Sequence, residues 1–373
     1  MPDSRIPWLK LASMSSWVGA TPMAGLIRKY KNPVAALHAS PQELMTIQAW
    51  DNSKARRFVA EASKSQLICP TEKLDEKGIR LIPYTSKEYP ALLREIPDSP
   101  LVLFAKGQEL GKCSPAIAIV GARNASQMGY EVAHDFAYKL SKAGFTVVSG
   151  LALGIDTYAA RGALEAGEKT VAVLANGVDI TYPRANTKIR DKVISCGTLI
   201  SEYAPGVAPL PWYFPIRNRI ISGMCIATLV IEASARSGSL ITAHLAGEQN
   251  REIFAVPGGS GKSPSEGTMN LIKEGANLVT CPEEIIDYYQ DLLSPEKLKN
   301  FQKIKDEEIC EDKNLNAEER KLILRLATGA TLDELVAEGW NKDKLFSLLL
   351  QLEMRNYIVR ISGGRYQTRR DIK

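Results

Sequence analysis

The 373-residue sequence has few of the residues on which many enzymes and metal sites depend. It contains three histidines and six cysteines, and no two cysteines form a Cys-x-x-Cys pair. The scattered cysteines argue against structural zinc and a disulfide framework, so we expect them to be small core residues. A Gly-x-Ser-x-Gly elbow, a His-x-x-x-His pair and an Asp-rich cluster are also absent from the sequence. We therefore expect no catalytic residues, no metal and no cofactor.

Long apolar runs are absent as well. No stretch approaches the ~18 to 20 apolar residues that span a membrane. Residues 1–20 lack the apolar core and cleavage site of a signal peptide. The composition, 45% hydrophobic and 24% charged, is typical of globular domains. We therefore expect a cytoplasmic protein without a membrane partner.

The chain has little excess charge, and all of that excess lies at one end. Lys plus Arg number 47 against 42 Asp plus Glu, and residues 355–373 contain six bases and one acid. The rest of the chain is therefore neutral overall. A nucleic-acid site in that neutral part has to be a local cluster of cations, because the overall field does not attract a polyanion.

Local patterns predict five segments. Residues 1–66 contain helix-start signals, such as the Ser40–Glu43 capping box, and indicate a helical domain. Residues 67–114 are rich in proline and indicate an extended connector packed on the core. Residues 291–314 are charged and indicate a linker. Residues 315–373 combine capping boxes, a helical leucine pattern and a hairpin, which favours a winged helix-turn-helix domain.

The fifth segment, residues 115–290, alternates short apolar runs with helical stretches. Continuous apolar strands separated by helices indicate an α/β domain with a doubly wound, Rossmann-like parallel sheet. Such sheets bind ligands at the carboxyl ends of their strands. The apolar runs cover residues 116–120, 145–148, 170–175, 198–200, 227–231, 253–256 and 277–279.

Small and polar residues follow most of these runs. A glycine-rich loop that leads into a helix offers free backbone amides and a partial positive charge, which predicts phosphate binding. The loops are Gly121-Ala122-Arg123, Ser149 to Gly154, Asn176-Gly177, Ser234 to Ser239 and Pro257 to Gly261. Cations in or beside them are Arg123, Lys188, Arg217, Arg219 and Arg236, and the same edge has the acids Asp156, Asp179 and Glu232.

Two nucleotide-binding motifs do not match the sequence, because the required glycines are missing at the required spacing. Gly261-Lys262-Ser263 lacks the first glycine of a P-loop, because Val256 stands at that position. The residues after the first run of the sheet do not supply Gly-x-Gly-x-x-Gly. We therefore expect neither nucleotide triphosphate hydrolysis nor nicotinamide chemistry.

The ordered strings over residues 80–290 resemble the DNA-processing protein A (DprA, or Smf) family. The resemblance implies an extended Rossmann domain, flanked by a sterile-alpha-motif-like (helix-hairpin-helix-like) helical domain and an optional winged helix. The strings that carry it include Ile119-Val120-Gly121-Ala122-Arg123, Ser149-Gly150-Leu151-Ala152, Tyr182-Pro183, Phe214-Pro215-Ile216-Arg217-Asn218-Arg219, Ser237-Gly238-Ser239-Leu240-Ile241-Thr242 and Phe254-Ala255-Val256-Pro257-Gly258.

The resemblance also implies a function without catalysis. Family members form homodimers, bind single-stranded DNA with little sequence preference, protect incoming strands in natural transformation and help to load the RecA recombinase. By motif, Arg123 and Lys188 match positions that bind the DNA backbone. The residues that complete the implied pocket are Gly121, Ser149, Gly150, Arg217, Asn218, Arg219, Ser237, Gly238 and Ser239. Departures from the family pattern at Ala122, Ala160 and Met269 leave the polar details of this pocket open.

Other functions stay open from the residues alone. The string from Pro257 to Gly261 also resembles cytokinin-activating phosphoribohydrolases, which predicts a nucleotide hydrolase with Glu232 or Asp156 as its acid or base. A regulator that binds double-stranded DNA through the winged helix is a third hypothesis. Aromatic residues near the edge are candidates for base stacking, with core packing as the alternative for each: Tyr182, Tyr213 and Phe214.

Overall fold

The computed structural model describes residues 3–64, 67–111, 115–258, 264–302, 314–355 and 357–368. The chain divides into two compact units, Met1–Val279 and Thr280–Lys373. Within the described ranges, no helix is both long and apolar enough to cross a membrane.

The first residues form short helices around an apolar core. Leu9, Leu26 and Phe58 are fully buried in it. The capping box predicted between Ser40 and Glu43 is confirmed at the start of the fourth helix. The helices are α1 (Ile6–Val18), α2 (Ala20–Tyr30), α3 (Pro33–Leu37), α4 (Pro41–Leu44) and α5 (Asn52–Ala62).

The main sheet is mixed and mostly parallel. Its strands are β1 (Arg80–Pro83), β2 (Val102–Gly107), β3 (Ala116–Val120), β4 (Thr146–Ser149), β5 (Thr170–Leu174), β6 (Thr198–Ser201), β7 (Ala227–Val230), β8 (Glu252–Ala255) and β9 (Asn277–Leu278). Among the described residues the strand order is β1-β2-β6-β5-β4-β3-β7-β8-β9. The seven predicted runs match β3 to β9 within one residue at either end. The predicted α/β class with a large parallel sheet is thus confirmed.

The connector segment contributes more regular structure than its sequence indicates. It contains β1 and β2, together with α6 (Thr71–Glu76) and α7 (Ala91–Glu95). Strand β2 pairs antiparallel with both β1 and β6, so these two strands extend the parallel sheet at one edge. The run Leu101 to Ala105 is buried, and this apolar string was the available signal for β2.

Helices connect the parallel strands. They are α8 (Gln127–Ala143), α9 (Ile155–Glu165), α10 (Thr187–Cys196), α11 (Tyr213–Gly223), α12 (Gly238–Glu248) and α13 (Glu266–Lys273). The chain runs from β3 through β4 and β5 to β6 on one side, then returns to β7 on the other side of β3. This reversal is a topological switch point, where open α/β sheets bind their ligands.

The second unit contains helices and a small sheet. Strands β10 (Ala330–Thr331), β11 (Ile358–Arg360) and β12 (Arg365–Thr368) pair in the order β10-β12-β11. The helices are Pro282–Tyr288, Ala317–Arg325, Leu332–Ala337 and Lys342–Met354. The predicted capping boxes are both present, Asn316 with Glu319 and Thr331 with Glu334. Much of the predicted linker, residues 303–313, and the basic tail from residue 369 lie outside the described residues.

The cysteines follow the prediction except at one position. Cys69, Cys225 and Cys281 are buried, as expected of small core residues. Cys196 is exposed at the last position of α10, so the prediction was wrong there. The remaining two, at positions 113 and 310, lie outside the described residues.

Candidate functional site

A cleft of about 510 Å³ opens at the switch point. The loops after β3 and β7 line it, together with the starts of α11 and α12. Gly121 is required here, because a Cβ at this position would lie 2.6 Å from Ile155 Cγ1 and 3.0 Å from the carbonyl oxygen of Glu232. The first loop therefore packs closely enough on its neighbours to form one wall of the cleft.

Arg123 is an exposed cation of this cleft. Its guanidinium carbon lies 5.2 Å from the centroid of the Phe214 ring. That ring lies 5.7 Å from the ring of Tyr182, which is also exposed. A cation over an aromatic face is held in place while its charge stays available to solvent. Lys188 is also exposed, in the first turn of α10, but it does not line the cleft.

The loop after β4 does not present its amides as the sequence led us to expect. The Gly150 amide donates to Asp156 Oδ2 at 2.9 Å, and the Ala152 amide donates to the same oxygen at 3.3 Å. Ser149 is buried, and its Oγ accepts the Leu151 amide at 3.4 Å. An internal carboxylate thus occupies the place that we predicted for a phosphate. Ser149 and Gly150 support the cleft rather than offering free donors.

Arg217 lines the cleft but is 4% exposed. Its Nη1 donates to the Gly150 carbonyl at 2.9 Å and also to the Val173 carbonyl. Burial lowers the pKa of Arg217 to about 10, against the opposing effect of Asp156. Burial likewise raises the pKa of Asp156, and Arg217 opposes that shift. Arg217 therefore holds the loop and is not the surface cation that we expected.

Arg219 lies outside the cleft, which corrects its predicted place in the phosphate pocket. It is 4% exposed, and its Nη2 donates to both Glu202 oxygens at 2.9 and 2.8 Å. Its Nε lies 3.0 Å from Asp98 Oδ2. A guanidinium with two carboxylates is electrically satisfied, so we remove Arg219 from the candidate phosphate ligands.

The start of α12 places small polar groups in the cleft. Ser237, Gly238 and Ser239 all line it, and the two serine Oγ atoms lie 2.8 Å apart. Asn218 also lines it and donates from Nδ2 to the Gly238 carbonyl at 3.4 Å. A Cβ at Gly238 would meet no described atom within 4 Å. This helix start therefore combines hydroxyl groups with open space for a ligand.

The acids at this edge have structural partners. Glu232 accepts from the Ser126 amide at 2.9 Å and from its hydroxyl at 2.5 Å, at the start of α8. Asp179 accepts from the Gly206 amide at 2.9 Å and pairs with Lys77. Together with Asp156, they bind backbone amides rather than projecting a free acid or base. In the described part of the chain, no group of three His, Cys, Asp or Glu residues could hold a metal ion.

Some residues of the site escaped the sequence analysis. Buried Asn186 donates from Nδ2 to the Leu151 carbonyl at 3.0 Å and to Thr157 Oγ1 at 2.8 Å, which fixes the loop after β4 from a second side. Trp212 was not singled out either, although it directly precedes two candidate aromatics and is 60% exposed. Residues 259–263 of the last predicted loop lie outside the described residues.

Comparisons with known proteins identify the family. The family model "DNA recombination-mediator protein A" matches residues 80–290. Protein Smf of Escherichia coli is 36% identical over 99% of this chain and 97% of its own length. The X-ray structure of DNA processing protein A from Streptococcus pneumoniae is 33% identical, with a TM-score of 0.64 over 74% of this chain and 95% of that one.

A further solved structure is DNA processing protein A from Helicobacter pylori, described by its single-stranded DNA binding mode. It is 25% identical, with a TM-score of 0.53 over 58% of this chain and 97% of that one. The family model spans the segment that contains the cleft. They confirm the resemblance drawn from the motifs. The chain belongs to the DNA recombination-mediator protein A family.

Proposed function

We propose that the cleft binds the phosphate backbone of single-stranded DNA. Arg123 supplies exposed positive charge in the cleft, and Ser237, Gly238 and Ser239 supply hydroxyl groups and the start of a helix. Lys188 is exposed outside the lining of the cleft, and we propose that it contacts the same strand beyond it. The observation that carries the proposal is the cleft at the switch point, with Arg123 exposed and the neighbouring acids engaged by backbone amides. The description of the Helicobacter pylori relative supports the same ligand.

Such a site explains sequence-tolerant binding. Contacts to phosphates position a strand but do not read its bases, and they make the affinity depend on salt. The rings of Tyr182 and Phe214 beside Arg123 offer faces on which any base can stack. The acids of this edge are engaged, so we propose a binding protein rather than a nucleotide hydrolase.

We further propose the cellular role that family membership suggests. The protein would act in the cytoplasm as a homodimer that protects incoming single strands during transformation and helps to load the RecA recombinase. The relatives named for DNA processing and recombination support this role. A direct assay is RecA strand exchange on single-stranded DNA that is covered with single-strand-binding protein. Addition of the protein described here should shorten the lag before exchange products form.

The flanking parts have accessory roles in this proposal. Residues 1–66 would form the sterile-alpha-motif-like domain, and residues 315–373 a winged helix with β11 and β12 as its wing. In the second segment Arg365 already pairs with Glu334 at 3.3 Å, while Arg360 is exposed beside Tyr366. Deleting residues 315–373 should therefore leave most of the affinity for single-stranded DNA in place. The deletion should remove only an accessory contact, which the winged helix would make with double-stranded DNA as well.

The main test compares two double variants by gel-shift titration with a labelled oligonucleotide. Arg123→Ala with Lys188→Ala should weaken binding by at least about 100-fold, because each charge-assisted contact contributes roughly 1.5 to 3 kcal/mol. Lys54→Ala with Arg56→Ala removes the same charge from α5, where Lys54 is half-buried and Arg56 is exposed, and should leave affinity unchanged. Equal affinities for the two variants would refute the site.

A further inference from the structure

A second depression of about 980 Å³ lies beside the cleft, within the first unit. One wall comes from α1 and the start of α2, with the hydroxyl groups of Ser15, Ser16 and Thr21. The other wall comes from α11, α12 and the loop after β6, with the rings of Tyr203, Trp212 and Tyr213. We call this depression the aromatic groove.

The aromatic groove is continuous with the cleft. Pro215 and Ile241 line both of them. A strand whose phosphates lie beside Arg123 therefore reaches the groove by crossing these two side chains. Both belong to helices that begin at the cleft, so the junction is part of the same rigid framework.

Three consecutive aromatic residues divide their rings between the two depressions. Phe214 lines the cleft, whereas Trp212 and Tyr213 line the groove, because neighbouring residues at a helix start point in different directions. The Tyr213 ring stacks on Tyr203 at 4.1 Å, and the Trp212 ring meets Tyr213 edge-on at 6.1 Å. The groove thus presents a preformed aromatic cluster.

Three apolar side chains that line the groove are exposed. Trp212 is 60% exposed, Ile216 46% and Ile241 41%. Contiguous exposed apolar side chains mark places where a ligand covers the surface. A tryptophan ring also has the largest face for stacking a planar group.

The charges of the groove do not suit a phosphate. Its carboxylates, Asp98 and Glu202, are both paired with the buried Arg219. Arg219 is also the cation among the residues that line this depression, and these two carboxylates already balance its charge. The remaining lining is aromatic, aliphatic or hydroxylic, which matches the faces and polar edges of nucleobases.

We propose that the aromatic groove is a base-stacking subsite for the strand whose phosphates occupy the cleft, with Trp212 as its principal platform. The proposal rests on the proposed function and adds α1 and the start of α2 to the DNA-binding surface. Continuity with the cleft favours a strand over a second copy of the chain or another protein as the occupant.

The test uses the full chain and oligothymidylates long enough to leave the cleft. Trp212→Ala should weaken binding about 5- to 160-fold, the equivalent of roughly 1 to 3 kcal/mol for one stacked base. The dependence of affinity on salt should not change, because no phosphate contact is lost. Trp212→Phe should retain most of the affinity. Val34→Ala, at a 48% exposed position of α3, is the control at another exposed apolar side chain and should have no effect.

An oligonucleotide of the same length with abasic sites separates bases from phosphates. The wild type and Trp212→Ala should bind this abasic strand equally. A loss that persists on the abasic strand, or no loss on the intact one, would overturn the subsite. If Trp212→Ala changed the sedimentation coefficient of the protein but not its DNA affinity, the groove would be an interface with a second copy of the chain. That result would also overturn the base-stacking subsite. Failure of the cleft itself is distinguishable, since the wild type would then bind neither strand.

Discussion

Asp156 and Arg217 bind opposite sides of the same residue, Gly150. Asp156 accepts its amide at 2.9 Å, and Arg217 donates to its carbonyl at 2.9 Å. Both side chains are buried, so each compensates the charge of the other in a medium of low dielectric. The loop after β4 is therefore held by a fixed polar network before any ligand arrives.

Gly150→Ala should test this network, with Gly238→Ala as the matched control. A Cβ at position 150 would lie 2.5 Å from Nη2 of the buried Arg217, whereas at position 238 it meets no described atom within 4 Å. We expect Gly150→Ala to lower the free energy of unfolding by about 1 to 3 kcal/mol. Gly238→Ala should leave stability unchanged and weaken DNA binding, because its methyl group enters the cleft. Urea unfolding and gel-shift titration measure the two effects, and equal stability losses would contradict the assignment.

Arg219 and Arg123 should behave in opposite ways. Arg219→Ala leaves the partly exposed carboxylates of Glu202 and Asp98 without their buried partner, so we expect a loss of about 1.5 to 3 kcal/mol in unfolding free energy. Arg123→Ala should leave that free energy within about 0.5 kcal/mol, since the side chain is exposed, but should reduce DNA affinity. An Arg219→Ala protein of wild-type stability would show that this arginine is available for another role.

Asp179 should make stability depend on acid. Burial acts to raise its pKa, but the contacts with Lys77 and the Gly206 amide outweigh burial and lower the pKa below 3.8. Its contribution is therefore complete at neutral pH and is lost as pH falls below about 4 through the lowered pKa. We expect Asp179→Asn to be less stable than the wild type at pH 7, with a gap that closes below pH 4. Asp191→Asn, at a side chain 61% exposed, is the control and should follow the wild type.

Most of the parallel strands could be predicted because they are buried on both faces. Strands β3 to β7 are short runs of buried or half-buried residues, so burial alone marks them without any knowledge of their neighbours. Strands β1 and β2 lie among prolines, and the pairing of β2 with β6 depends on a contact across the fold. Local sequence does not encode such a contact, so the prolines of this segment indicate a connector and not two strands of the sheet.

The location of the site could be predicted, but the roles of its arginines could not. Glycines and polar residues after apolar runs indicate the binding edge directly. Arg217 and Arg219 stand two positions apart in one helix, and each is buried by a different partner. Those partners come from distant segments, so only the folded structure separates a supporting arginine from an exposed one.

The salt dependence of single-strand binding tests the central claim most directly. The logarithm of the association constant should fall linearly with the logarithm of salt concentration, with a slope near −0.7 per neutralised phosphate. The account predicts that Arg123→Ala with Lys188→Ala makes this slope shallower by about 1.4, while Lys54→Ala with Arg56→Ala leaves it unchanged. An unchanged slope in the first double variant would contradict the account.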